Sequence, residues 1–165
     1  MKGIYLLLGT NLGERLGNLK RAAEILETFN MTIVDYSSVY ESAPWGKVDQ
    51  PWFLNMVLRV DTLISADNLL DACMETERRM GRIREEKWGE RIIDVDILYT
   101  ENEVIEENDL IVPHPGIADR KFTLMPLAEI APNEVHPTIG KTNTELLKVC
   151  KDTLECKVSE YELIL

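Results

Sequence analysis

The sequence is poor in cysteine and histidine and has no long hydrophobic run. Its three cysteines, Cys73, Cys150 and Cys156, show no C-x-x-C spacing. An odd, sparse count of this kind argues against a disulfide framework and suits a reducing cytoplasm. Two histidines, His114 and His136, are too few for a histidine-rich metal cluster. No stretch of 18 or more apolar residues is present, so no membrane span is expected. The opening MKGIYLLLG lacks a small-residue cleavage pattern and runs at once into a turn; it reads as a first strand rather than a signal peptide. There is no Walker A motif. The only glycine-rich loop, GTNLG at 9–13, has no lysine at the phosphate-binding spacing, which excludes P-loop chemistry. Positive charge is also scarce, with 18 Lys+Arg against 29 Asp+Glu and a net charge of -11. Such a surface repels nucleic acid.

What cationic charge there is comes in one place. Arg78, Arg79, Arg82, Arg84, Lys87 and Arg91 fall within fourteen positions. A local cluster in an acidic chain leaves room for a small anionic ligand. Arg78 and Arg79 read as a salt-bridged helix end, close to a helix C-terminus.

The 165 residues, 45% of them apolar, suit one domain with a substantial core. Residues 4–8 read as a buried strand, followed by a turn over GTNLG. Asn11 with Glu14 fits a capping box, and Leu16, Leu19, Ala23 and Leu26 recur at helical spacing. A second strand is expected over 32–40 and a third over 53–60. In the third, Leu54, Met56, Leu58 and Val60 share one face, and Phe53, Asn55, Val57 and Arg59 share the other. A helix over 66–80 turns Leu69, Ala72, Cys73, Thr76 and Met80 inward. A polar loop then leads to a fourth strand. The order β-α-β-β-α-β is the ferredoxin-like pattern of an α+β fold, with additional C-terminal helices near 124–130 and 143–150 and a terminal strand in CKVSEYELIL.

The fourth strand, within WGERIIDVDILY, carries two carboxylates in an apolar run. Asp94 and Asp96 are two apart, so both leave the same face, while Ile93, Val95 and Ile97 face the core. Paired carboxylates repel unless compensated. A divalent cation compensates both, and hard oxygen ligands favour Mg²⁺ or Mn²⁺ over zinc. Taken alone, a D-x-D on a strand is more often a solvated face. Arg82, Arg84 and Arg91 beside it shift the balance, because metal and guanidinium forks together suit a polyphosphate.

At these residues the chain resembles the 6-hydroxymethyl-7,8-dihydropterin pyrophosphokinase family. The signature KWGERIIDVDIL (87–98) carries the resemblance. YLLLGTNLG (5–13), DQPWFLN (49–55), ETERRMGRIR (75–84), VPHPGIADRKF (112–122) and MPLAEIAP (125–132) support it. The resemblance implies a folate-pathway enzyme that moves the β,γ-pyrophosphate of ATP onto the pterin hydroxymethyl group, with AMP as co-product. It implies two Mg²⁺ ions on Asp94 and Asp96, with Arg82 and Arg91 as catalytic arginines. Glu77, Arg84, Trp88, His114 and Arg120 would bind ATP. Ser42, Trp45, Phe53, Asn55 and Phe122 would bind the pterin. The loop from about 82 to 91 would close over the ligands. The expected partners are the two small-molecule substrates, without nucleic acid or membrane, for a single cytoplasmic, monomeric domain over 1–165.

The chain departs from the family pattern at Met74, Ala43, Phe53 and Ala118. Those positions bear on ATP affinity and pocket shape. Two rival readings stay open on the residues. One is a nucleotidyltransferase with a palm-like fold; the other is a non-catalytic module that senses ATP and Mg²⁺.

Overall fold

The run IYLLLGT forms β1 (Ile4–Thr10), buried from end to end. A strand this apolar on both faces must lie inside a sheet that is covered on both sides. In the computed structural model, which describes residues 3–82, 89–101 and 103–165, β1 pairs antiparallel with β4 (Phe53–Thr62) on one side and β5 (Asp94–Tyr99) on the other. β2 (Met31–Tyr36) and β3 (Tyr40–Ser42) both pair antiparallel with β4, and β8 (Cys156–Val158) closes the edge beyond β3. A small hairpin of β6 (Ile105–Glu106) and β7 (Ile111–Val112) stands apart. Among the described residues, four α-helices complete a mixed fold: α1 (Arg15–Glu27), α2 (Ala66–Arg79), α3 (Lys121–Ile130) and α4 (Asn143–Val149).

Each strand sorts its side chains by parity. Leu6, Leu8, Leu54, Met56, Leu58, Val95 and Ile97 pack with Leu19 and Leu26 of α1 and Leu69 and Cys73 of α2. Tyr5, Leu7, Val57 and Tyr99 pack on the opposite face with Leu124 and Leu127 of α3 and Leu146 of α4. Each fully buried leucine contributes roughly 1.5–3 kcal/mol. Slipping β5 by one residue would push Asp94 and Asp96 into the first of these cores, so the register is strongly fixed.

Four expectations change in detail. The strand expected over 32–40 is two strands: at Ser37 the side-chain Oγ, in place of a backbone carbonyl, accepts the Val57 N–H at 3.0 Å, while the Ser37 N–H donates to the Val57 carbonyl at 2.9 Å. The supposed turn at Gly9 and Thr10 is the end of β1. The Asn11–Glu14 capping box does not form: Glu14 is the N-cap of α1 without a side-chain cap, and Asn11 is drawn into tertiary contacts. The terminal strand is only three residues long. The helices fare better. Ser65 caps α2 by accepting the Asn68 N–H, and Thr142 with Glu145 makes a capping box on α4. Arg78 and Arg79 both pair with Glu75, at 2.6 and 3.1 Å. Among the described residues, no helix is long and apolar enough to cross a membrane.

Candidate active site

Asp94 and Asp96 leave β5 on the face that α1 and α2 do not cover, and both line a cavity of about 530 Å³, a volume that includes space open to solvent. Arg82 follows the C-terminus of α2, and its Nη1 lies 2.6 Å from Asp94 Oδ1. Arg91 Nη1 donates to Asp94 Oδ2 at 2.8 Å. Burial alone would raise the Asp94 pKa, but the two guanidiniums outweigh it and hold the carboxyl below its ordinary value. Asp96 goes the other way. Burial, then the charges of Asp94 and Glu77, push it up to about 8. The two carboxylates therefore differ sharply without a further cation between them.

Glu77 completes this cluster from beneath. It is buried, and its Oε1 accepts the Val95 N–H at 2.9 Å and lies 2.6 Å from Arg82 Nη1. Although Glu77 is charged and close to a helix end, it does not face solvent. Cys73, Thr76, Glu77 and Met80 share the inward stripe of α2, and that spacing was the available signal.

The rest of the cavity is aromatic and amide in character. Asn55 is buried beside β3 and donates from Nδ2 to Ser42 Oγ at 2.7 Å. Phe53 and Trp45 form walls together with Phe122 from the first turn of α3. The Trp45 and Phe122 rings meet edge to face, 6.5 Å between centroids. Guanidiniums lie over these rings: Arg91 over Phe53 at 5.7 Å, and Arg120 over Trp45 and Phe122 at 5.6 and 5.8 Å. Asp152 holds the start of α3 by accepting the Lys121 N–H at 2.9 Å, which steadies Arg120 and Phe122 on either side.

Further residues help to build this space. Gly9 pairs with Asn55 on one side and Asp94 on the other. A Cβ there would come 3.3 Å from Asn55 Oδ1, so a glycine inside a strand was itself a sign of close approach. Leu7 and Ala43 also line the cavity. Asn11 acts at one remove. It accepts the Arg91 N–H on Oδ1 at 2.9 Å and donates to Gln50 and the Pro51 carbonyl, tying the Arg91 backbone to the loop before β4.

His114 lies in a second, larger groove that reaches Asp96 from the other side and includes Leu70, Met74, Ile97 and Ile111. Its N–H donates to the Leu98 carbonyl, and its Nδ1 accepts the Gly116 N–H at 3.0 Å. Burial and then the Arg120 charge lower its pKa to about 4, so it is neutral near pH 7. Gly116 lets Arg120 pass close by: a Cβ would meet its guanidinium at 2.7 Å. Arg84 and Trp88, with most of the expected closing loop, lie outside the described residues. Among the described residues, no group of three or more His, Cys, Asp and Glu side chains is arranged to hold a metal ion. Asp94 and Asp96 could hold Mg²⁺ or Mn²⁺ through their hard oxygens, and the negative charge of Asp94 and Glu77 that raises Asp96 is charge a cation there would offset.

The sequence pattern of the 7,8-dihydro-6-hydroxymethylpterin-pyrophosphokinase family matches residues 5–132. The chain is 41% identical over 136 residues to the 2-amino-4-hydroxy-6-hydroxymethyldihydropteridine pyrophosphokinase of Methylorubrum extorquens, covering 82% of this chain and 86% of that one. It is 43% identical over 141 residues to the enzyme of the same name from Aquifex aeolicus, covering 86% and 88%. Among solved structures, wild-type Plasmodium falciparum HPPK-DHPS with pteroate matches with a TM-score of 0.72 at 17% identity. That match covers 89% of this chain but 44% of the other, so the chain spans less than half of that protein, and the likeness speaks for the fold alone. The chain belongs to the 7,8-dihydro-6-hydroxymethylpterin-pyrophosphokinase family.

Proposed function

We propose that this chain transfers the β,γ-pyrophosphate of ATP to the hydroxymethyl group of 6-hydroxymethyl-7,8-dihydropterin, giving AMP and the dihydropterin diphosphate. One observation carries the reading. An amide-and-aromatic wall suited to a flat heterocycle shares a single cavity with Asp94, Asp96 and Arg91. Heterocycle and phosphate chemistry therefore meet in one space. The names of the Methylorubrum and Aquifex relatives support the same reaction.

In this reading Asn55, oriented by Ser42, hydrogen-bonds the pterin edge, since its amide offers both donor and acceptor. Phe122, Phe53 and Trp45 hold the ring faces. The groove beside His114 takes the nucleotide, with Arg120 reaching it from the neighbouring cavity and Glu77 acting on the ATP side through its contact with Arg82. Arg84 and Trp88 complete the ATP side. Asp94 and Asp96 would hold two Mg²⁺ ions, which when bound neutralise phosphate charge and acidify the attacking hydroxyl. Arg82 and Arg91 meet the charge that develops on the phosphoryl oxygens as the hydroxymethyl oxygen attacks the β-phosphorus in line and AMP departs. His114, neutral at working pH, donates or accepts hydrogen bonds without adding charge.

The strand order β5-β1-β4-β2 supports a ferredoxin-like core, to which α3, α4 and β8 are added. Residues 1–165 act in this reading as one monomeric, cytoplasmic pyrophosphokinase domain. The test is product analysis with Mg²⁺, ATP and the hydroxymethyl dihydropterin. AMP formed one-for-one with a diphosphorylated pterin is expected. ADP, pyrophosphate release with adenylylated pterin, or no pterin-dependent turnover by folded protein would each overturn the proposal.

A further inference from the structure

Both oxygens of Asp94 are already taken by protein cations. Arg91 Nη1 holds Oδ2 at 2.8 Å, and Arg82 Nη1 holds Oδ1 at 2.6 Å. The same Arg82 nitrogen lies 2.6 Å from Glu77 Oε1. One guanidinium nitrogen thus straddles two carboxylates, one lining the cavity and one buried behind it. Both Arg82 and Glu77 side chains are nearly enclosed, with 12% and 6% of their surface exposed. Their contact is therefore poorly screened by water. Glu77 is itself pinned by the Val95 N–H, the peptide that lies between Asp94 and Asp96.

We propose that Arg82 occupies the metal-binding position of Asp94 in the ligand-free protein, that Glu77 is the positioning residue that retains Arg82 when it lets go, and that the polyphosphate draws it away. This inference rests on the reading of Asp94 as a metal ligand. A divalent cation arriving alone must displace a charge-assisted hydrogen bond from Asp94, and among the described residues Glu77 is then the carboxylate left against the guanidinium. A cation arriving with a polyphosphate brings oxygens that give Arg82 and Arg91 new partners. Metal therefore loads together with the nucleotide rather than ahead of it. Glu77 keeps the displaced guanidinium within the site, where it can turn to the phosphates instead of swinging into solvent. The roles of the two acidic partners of Arg82 differ accordingly. Asp94 gives up the contact and Glu77 keeps it.

The experiment is a Mn²⁺ titration followed by electron paramagnetic resonance, on the full chain without nucleotide and again with α,β-methylene-ATP. Without nucleotide, Arg82→Met should bind Mn²⁺ at least about tenfold more tightly than the wild type, the scale of one charged hydrogen bond removed. Arg82→Lys keeps the charge but not the planar fork, and should fall between the two; it also serves if Arg82→Met does not fold. Arg120→Met removes an equal charge from the same cavity without freeing an oxygen of Asp94, and should tighten binding less than Arg82→Met does. With α,β-methylene-ATP the advantage of Arg82→Met should vanish or reverse. Glu77→Gln should weaken Mn²⁺ binding in the wild type and change it little in the Arg82→Met background. Equal tightening by Arg82→Met and Arg120→Met would reduce the effect to the net charge of the cavity and overturn the proposal. So would unchanged or weaker binding by both Arg82 variants, or a Glu77→Gln effect that persists without Arg82. Asp94→Asn separates the two levels of the argument. If it binds Mn²⁺ as well as the wild type does, the assignment of Asp94 as a metal ligand fails, and this inference fails with it.

Discussion

On β5, Val95 and Ile97 face α1 and α2 and are almost wholly buried, while Asp94 and Asp96, one residue away, face a cavity. β4 repeats the pattern with Leu54 and Met56 on one face and Phe53 and Asn55 on the other, and so does β1 with Leu8 and Gly9. The difference lies in what covers each face. Two amphipathic helices seal the first. On the second, α3 and α4 pack on the stretch around Tyr5, Val57 and Tyr99, and the residues beyond it line the cavity. The same three strands thus supply a dry core and a charged cleft, and the period of two keeps them apart.

The largest effects should come from exchanging the two rules on one strand. Val95→Asp puts an unpaired carboxylate into the dry core and should cost more than about 4 kcal/mol, enough to leave little folded protein. Asp96→Ala should keep the fold and lose at least about a thousandfold in turnover, if the carboxylate holds the phosphate-bound metal. Circular dichroism and turnover on the two variants check this. A folded, active Asp96→Ala enzyme would dissolve the contrast.

The next pair divides stability from affinity on β4. Met56→Ala should lower stability by about 2–5 kcal/mol in urea unfolding while turnover per folded molecule stays close to normal. Asn55→Ala should barely move the unfolding midpoint but raise the pterin KM by roughly ten- to a hundredfold, the range for one or two buried hydrogen bonds. Equal losses of stability in the two variants would mean that Asn55 is a structural residue of the sheet.

Much of this contrast could be read in the chain itself. Alternation in FLNMVLRV and DVDIL separates the faces without any structure, and the inward stripe of α2 is periodic enough to predict. What escaped depends on strand register and long-range contact. Asn11 looks like a helix cap, yet its partners are 39 to 80 residues away. The groove beside His114 needs the β6–β7 hairpin next to α2, and two-residue strands leave almost no periodic signal. Glu77 shares the inward stripe of α2 with Cys73, Thr76 and Met80, so its burial follows from spacing, whereas its partners Arg82 and Val95 depend on how β5 meets α2.

A smaller effect sharpens the comparison through pH. The Asp96 pKa in the fold, about 8, lies above the ordinary value of 3.8. Between those values the folded state retains a proton that the unfolded chain has released, so the contribution of Asp96 to stability is full below about pH 4 and is lost as pH rises through 8. His114, lowered to about 4, slopes the other way between about 4 and 6.5, so the wild-type curve alone mixes the two. The difference between Asp96→Asn and the wild type isolates Asp96. In metal-free buffer, that difference should grow steadily in favour of the variant as pH rises from 5 to 8. A difference that does not change between pH 5 and 8 would mean that Asp96 ionises freely in the fold.

The subtlest test concerns Gly9, where nothing but the absence of a side chain is at stake. Its backbone is ordinary strand, so alanine adds no conformational penalty and slightly restricts the unfolded chain. The added methyl would sit 3.3 Å from Asn55 Oδ1, closer than normal contact, and 3.9 Å from Phe53. Asn55 must then shift by a few tenths of an ångström while still held by Ser42. On the helix-covered face a change of that size would register as overpacking and lost stability. On the open face there is room to yield, and the shift is passed to the ligand. Gly9→Ala should therefore raise the pterin KM by roughly three- to tenfold, with the melting temperature and the ATP KM nearly unchanged. A fall in melting temperature with normal pterin binding would place Gly9 under the packing rule of the core instead.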